Sequence, residues 1–215
     1  MSMPTFVVAG TQKAATTWLY ECLNEHPQVF VPKRKELHFF CDSADGAKSQ
    51  YAQGLEWYGQ QFSDEPRWLA RGELSIDYMF FDYVAERLHG LSADMKVLFI
   101  LRDPVERAYS GYWMNKRTRA DLPPFETFID PGSDYVARGF YHQQIERYRR
   151  LFPDEQIKLL IYDAIRKDPR AFLREVFGFL GVDPEFVPQS MSQQIAATRS
   201  MSPGVSRFYY RKLSR

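Results

Sequence analysis

Three short apolar runs rise out of a polar background: Thr5 to Ala9, Lys96 to Leu101 and Gln156 to Tyr162. Each is β-branched, aromatic or Leu/Ile-rich over about one strand length, the pattern of a strand buried on both faces. A turn and then a helical pattern follow each run. Gly10 marks the first turn, after which Trp18, Leu19, Cys22 and Leu23 recur on one helical face until His26-Pro27 stops them. Thr16 or Thr17 is the expected cap of that helix. After the second run, Asp103-Pro104 puts an acid and a proline where a helix N-terminus favours both. After the third, a helix runs from about Pro169 to Leu180 and closes at Gly181. Tyr78 to Leu88 and Gly139 to Leu151 also read as helices. Residues 41–66 and 117–137 are polar and punctuated by Gly or Pro, so they read as surface connections. Strands that alternate with helices predict an α/β fold: one domain over residues 1–215, with a mostly parallel central sheet flanked by helices and ligands at the carboxyl ends of the strands.

Composition sharpens this in three ways. With 45% apolar and 16% aromatic residues the 215-residue chain can bury a real core. Its formal charge of +1 argues against a broad polyanion binder, so nucleic acid is not an expected partner. The longest uninterrupted apolar run, Val97 to Leu101, falls far short of the roughly 20 residues of a membrane span. No basic stretch followed by an apolar core opens the chain, so no secretion signal is read. Cys22 and Cys41 are too few for a disulfide framework or a four-ligand zinc site, although one bridge stays compatible. A reducing, cytoplasmic setting and no metal are the simpler expectation. The segment from Arg199 to Arg215 carries five basic residues and no acid.

The first turn carries the chemistry. Gly10-Thr11-Gln12-Lys13-Ala14-Ala15-Thr16-Thr17 follows a strand and opens a helix, so its backbone N–H groups can surround a phosphate at the positive helix end. It is not a Walker A loop, which would need Gly, Lys and Ser or Thr where Ala15, Thr16 and Thr17 stand. The plain alternative for the loop alone is a polar βα turn with a solvated Lys13.

The loop from Gly10 to Trp18 resembles the 5′-phosphosulfate loop of sulfotransferases that use 3′-phosphoadenosine 5′-phosphosulfate (PAPS). Ile100-Leu101-Arg102-Asp103-Pro104-Val105-Glu106-Arg107-Ala108-Tyr109-Ser110 resembles their 3′-phosphate segment, with Arg102 and Ser110 as the matching ligands. A guanidinium fork and a hydroxyl both suit a phosphate dianion. Lys35 to Phe40, Arg71 to Tyr78 and Arg138 to Tyr141 resemble further segments of the bacterial and heparan-sulfate-type enzymes, in the expected order.

The resemblance implies a PAPS-dependent enzyme that moves a sulfuryl group to a hydroxyl or amine of a carbohydrate or small molecule and releases adenosine 3′,5′-bisphosphate. Sulfuryl transfer builds charge on the leaving phosphate and takes a proton from the acceptor. Lys13 is the expected stabiliser of that charge and a candidate acid for the leaving group. The amides of Gln12, Lys13, Ala14, Ala15, Thr16 and Thr17, with the two threonine hydroxyls, would hold the phosphosulfate. Trp18 aligns with an adenine-stacking residue, although its spacing with Cys22 suits a core equally well. Glu36 matches the carboxylate that acts as general base in the heparan-sulfate-type branch and His38 is its rival; two residues apart on a strand, they would share a face. Read alone, Glu36 pairs with Lys33 or Lys35 and His38 packs under Phe39 and Phe40.

Trp57, Tyr58, Tyr78, Tyr112 and Trp113 suit an aromatic acceptor cleft or a core, and Lys116, Arg117 and Arg119 an anionic glycan or a solvated helix end. Arg199, Arg207 or Arg211 is a candidate to close over the nucleotide, with a solvated basic tail as the plainer reading of the same residues. Leu74 stands where some relatives carry a second lysine, and Cys41 where some carry an aspartate. Against the family the chain also reads as short at its C-terminus. Two other classes remain: a nucleotide-dependent phosphotransferase with an atypical phosphate loop, and a nucleotide-binding module without chemistry.

Overall fold

A computed structural model describes residues 2–41, 50–130 and 132–193. In chain order the elements are β1 (Phe6–Gly10), α1 (Thr16–Glu25), β2 (Val29–Phe30), α2 (Gly54–Gly59), β3 (Ala70–Leu74), α3 (Val84–Leu91), β4 (Lys96–Leu101), α4 (Pro104–Lys116), α5 (Phe125–Phe128), α6 (Asp134–Ala137), α7 (Tyr141–Arg149), β5 (Ile157–Ile161), α8 (Tyr162–Lys167) and α9 (Pro169–Leu180). The five strands form one sheet in the order β2-β3-β1-β4-β5, with every neighbouring pair parallel.

Alternate residues of the same strands supply two cores, as the two-residue period of a pleated strand requires. Phe6, Val8, Leu98 and Ile100 pack on one side with Leu19 and Leu23 of α1 and Phe172 and Val176 of α9. Val7, Ala9, Val97 and Phe99 pack on the other with Leu88 of α3 and Ile145 and Tyr148 of α7. Both faces are covered, which is why β1 and β4 read as continuous apolar runs. At Gly72 on β3 a Cβ would stand 2.4 Å from the Phe6 carbonyl oxygen, so only glycine lets β3 lie this close to β1.

The local signals hold at α4 and α9. Asp103 caps α4, its Oδ1 accepting from the N–H groups of Val105 and Glu106 at 2.9 Å. Gly181 ends α9 with φ 80°, and the Val182 N–H donates back to the Phe177 carbonyl. Elsewhere the structure departs from the pattern. Neither Thr16 nor Thr17 caps α1; that position falls to Ala15 in the left-handed region, with no side-chain cap. The helix expected from Tyr78 begins only at Val84, because Tyr78 turns its ring and hydroxyl into the core. The expected connections contain α2, α5 and α6, and β2 and β3 were not signalled by periodicity at all. Both cysteines are buried and no disulfide joins them, so the compatible bridge does not form. Among the described residues no helix is long and apolar enough to cross a membrane.

Candidate active site

β1, β2, β3 and β4 deliver their following segments to one edge of the sheet, the carboxyl edge where parallel sheets collect ligands. From β1 comes the loop to α1. Lys13 (φ 68°) and Ala15 (φ 61°) both take left-handed backbone, the alternation that turns successive N–H groups into one concavity. The Leu19 N–H donates to the Ala15 carbonyl and opens the helical ladder of α1, with the amides of Thr16, Thr17 and Trp18 ahead of it as first-turn donors. Ala14 is buried and anchors the loop, while Thr17 is exposed.

Arg102 follows β4 and fastens this loop: its Nη1 donates to the Lys13 carbonyl at 3.0 Å, its Nη2 lies 3.5 Å from Glu106, and its guanidinium stacks over Tyr162. Ser110, two turns into α4, is 1% exposed, and its Oγ has no hydrogen-bond partner among the described residues. A buried hydroxyl of that kind is costly unless something outside the chain engages it. The Gln12 amide oxygen lies beside Gly111, next to Ser110 in α4. The Lys13 Nζ reaches Met114 Sδ at 3.4 Å. Burial holds the Lys13 ammonium below its ordinary value, and the charges of Arg102, Arg117 and Lys35 push the same way, so four cations share this mouth.

The segment after β2 brings Glu36 and His38. It is not a strand: Glu36 and His38 both have left-handed φ, 62° and 51°, while Leu37, Phe39 and Phe40 are fully buried. The buried residues pin the segment, and the two polar side chains meet on its other side with His38 Nε2 3.3 Å from Glu36 Oε2. The expected shared face is present for a different reason. Lys35 Nζ lies 2.5 Å from the other Glu36 oxygen and also donates to Thr17 Oγ1 at 3.1 Å. His38 does not pack under the two phenylalanines; its Nδ1 lies 3.8 Å from Asp77 and 3.5 Å from Cys41 Sγ. Burial alone would raise the Glu36 carboxyl, but the hydrogen bonds and charges of His38 and Lys35 outweigh it and hold it below the ordinary range. Burial likewise works against the His38 cation, yet Glu36, Asp77 and Glu73 together raise its pKa.

Sequence reading missed the support behind this pair. Glu73, 1% exposed on β3, accepts from Tyr58 Oη at 2.8 Å, Tyr78 Oη at 2.6 Å and Ser75 Oγ at 2.7 Å. Ser75 Oγ in turn accepts the His38 N–H, and Tyr78 Oη accepts the Phe40 N–H. Burial raises the Glu73 carboxyl, opposed by its three donors. Asp77 is held by Arg138 at 2.5 Å. Both acids sit in the Arg71 to Tyr78 segment, whose resemblance was the only signal pointing at them.

Two expectations are corrected. Trp18 is core, as its spacing with Cys22 allowed: it is 6% exposed and its ring meets Phe172 of α9 at 6.0 Å, which leaves little indole surface for stacking on adenine. Tyr58, Tyr78 and Tyr112 are buried and do not line an acceptor cleft. Lys116 closes a turn on the carbonyls of Ala120 and Leu122. Arg199, Arg207 and Arg211 lie outside the described residues.

Comparison with known proteins follows this geometry. The model of the sulfotransferase domain family matches residues 3–203. Heparan sulfate glucosamine 3-O-sulfotransferase 5 of Mus musculus is 30% identical over 85% of this chain and 54% of its own length. Bifunctional heparan sulfate N-deacetylase/N-sulfotransferase 3 of Homo sapiens is 30% identical over 86% of this chain and 23% of its own. The chain thus spans about half or less of these curated relatives. A solved sulfotransferase from Alicyclobacillus acidocaldarius is 28% identical with a TM-score of 0.82, covering 100% of this chain and 92% of that one. With the family model matched over nearly its whole length, the chain belongs to the sulfotransferase family.

Proposed function

We propose that the protein transfers the sulfuryl group of PAPS to a hydroxyl or amine of a carbohydrate acceptor, from a single domain. The observation that carries the reading is the meeting of two segments across one ammonium: Lys35 touches Thr17 of the phosphate loop and Glu36 of the segment after β2. Donor site and proton acceptor therefore lie side by side. The amide-lined loop, the unpartnered Ser110 hydroxyl and the cations at the mouth fit a nucleotide carrying two separate anionic groups. The curated relatives act by their names on heparan sulfate, one at a glucosamine oxygen and the other at nitrogen, which supports the acceptor class. Cys22 and Cys41 as two buried thiols with no disulfide between them fit a cytoplasmic setting.

In this reading the acceptor oxygen or nitrogen attacks sulfur in line. The new bond to sulfur forms as the bond from sulfur to the bridging phosphate oxygen breaks, and the acceptor proton passes to Glu36. Lys13 balances the charge that grows on the bridging oxygen. His38 acts as the cationic clamp rather than the base, since both its nitrogens face acidic side chains, Glu36 and Asp77. Transfer of labelled sulfate from PAPS to a panel of glycan and small-molecule acceptors tests the reading. Lys13→Ala is expected to lower kcat about 10²–10³-fold, the usual cost of one charge-stabilising donor, and Glu36→Gln to abolish transfer. Full turnover by Lys13→Ala, or no transfer to any hydroxyl or amine, would overturn it.

A further inference from the structure

We propose that Lys35 is a donor-sensing switch on the base: it is shared between Glu36 and the phosphate loop, and passes to the anionic end of PAPS when the nucleotide binds. The proposal rests on the reading of Glu36 as proton acceptor. Lys35 Nζ has two side-chain partners of unequal character, the Glu36 carboxylate at 2.5 Å and the neutral Thr17 hydroxyl at 3.1 Å. Thr17 belongs to the first turn of α1, where the phosphosulfate group is expected. An anion placed there enters the reach of an ammonium already leaning on that turn. A doubly charged group outcompetes one carboxylate for it, and the flexible lysine stem needs only a rotamer change.

The charged and titratable groups around Glu36 make the handover one-directional. His38 from the same segment, backed by Asp77 and Glu73 from the β3 side and by Arg138 on Asp77, stays in place as its second partner. Lys13, Arg102 and Arg117 are grouped around the loop and also favour the incoming anion. Losing Lys35 removes one of the two cations that depress the Glu36 carboxyl, so its affinity for a proton rises only once a sulfuryl donor is present. Donor loading and acceptor deprotonation become one coupled event.

Linkage makes this measurable without turnover. PAPS is titrated calorimetrically, without acceptor, into the wild-type protein, Lys35→Met, Glu36→Gln and the double variant. Lys35→Met is expected to weaken PAPS binding about tenfold. Glu36→Gln releases the lysine beforehand and is expected to tighten it about threefold to tenfold, and that gain is expected to vanish in the Lys35→Met background. Equal tightening by Glu36→Gln in both backgrounds would mean plain charge repulsion and would overturn the switch, as would PAPS binding unchanged by Lys35→Met. Sulfate transfer by Glu36→Gln is scored separately, because residual turnover would remove Glu36 as base whatever the cycle reports.

Discussion

Glu73 gives the sharpest quantitative test, because a single carboxylate collects three hydroxyl donors in a site closed to solvent. A hydrogen bond to a charged acceptor contributes about 1.5–3 kcal/mol, and a buried hydroxyl left without a partner costs about 1–3 kcal/mol. Tyr58→Phe removes one donor and strands nothing, so a loss of about 2 kcal/mol is expected. Tyr78→Phe removes a donor of the same kind and also the acceptor of the Phe40 N–H, so it is expected to cost about 1 kcal/mol more. Glu73→Leu strands three hydroxyls at once; even with strong non-additivity that is about 3–6 kcal/mol against a total stability of about 5–15. Urea unfolding of the wild type and the two Tyr→Phe variants, at fixed pH, reads these differences directly. If both tyrosine variants unfold within about 0.5 kcal/mol of the wild type, Glu73 is not the hub that holds the His38 and Phe40 amides, and the account of how that segment is positioned fails.

Two further outcomes follow from the geometry. Trp18→Phe is expected to leave PAPS affinity within about twofold while lowering stability by about 1–2 kcal/mol, since the indole fills core beneath α9. A tenfold affinity loss at unchanged stability would instead make Trp18 an adenine platform. His38 has a pKa raised in the folded protein, so its contribution to stability is complete below the ordinary histidine value and is lost as pH climbs through the raised one. His38→Gln is therefore expected to lower Tm more at about pH 6 than at about pH 9; a penalty independent of pH would show that the ring is not held as a cation.

The readability of the chain followed a physical divide. β1, β4 and β5 announce themselves because their side chains contact apolar layers, and β1 and β4 are buried on both faces, so a strand-length apolar run has few other uses. β2 is two residues long, and β3 reads Ala-Arg-Gly-Glu-Leu, with a glycine forced by the approach of Phe6 and a buried acid satisfied by Ser75 and Tyr78 from the turn after it and by Tyr58 from α2. No hydrophobic period encodes hydroxyl partners of this kind. The same divide runs through the site. Lys13 and Glu36 came from ordered segments that resemble a family. The Asp77 contact with His38, and Lys35 as a bridge between Thr17 and Glu36, exist only once separate strand ends are brought to one edge.

The sheet order also dictates when this molecule can fold during synthesis. β1 is made first and lies in the middle, yet Phe6 finds its partners only at Gly72 and Lys96, and β4 finds its outer neighbour only at Ile157 to Ile161. Among the described residues no strand pair is closed by a short hairpin, so no early ladder repays the entropy of loop closure. The apolar β1 must wait for both ladder partners until β4 has been made, and α9, which covers it together with α1, arrives later still. Aggregation of nascent chains, rather than instability of the finished protein, is thus the characteristic hazard of this topology.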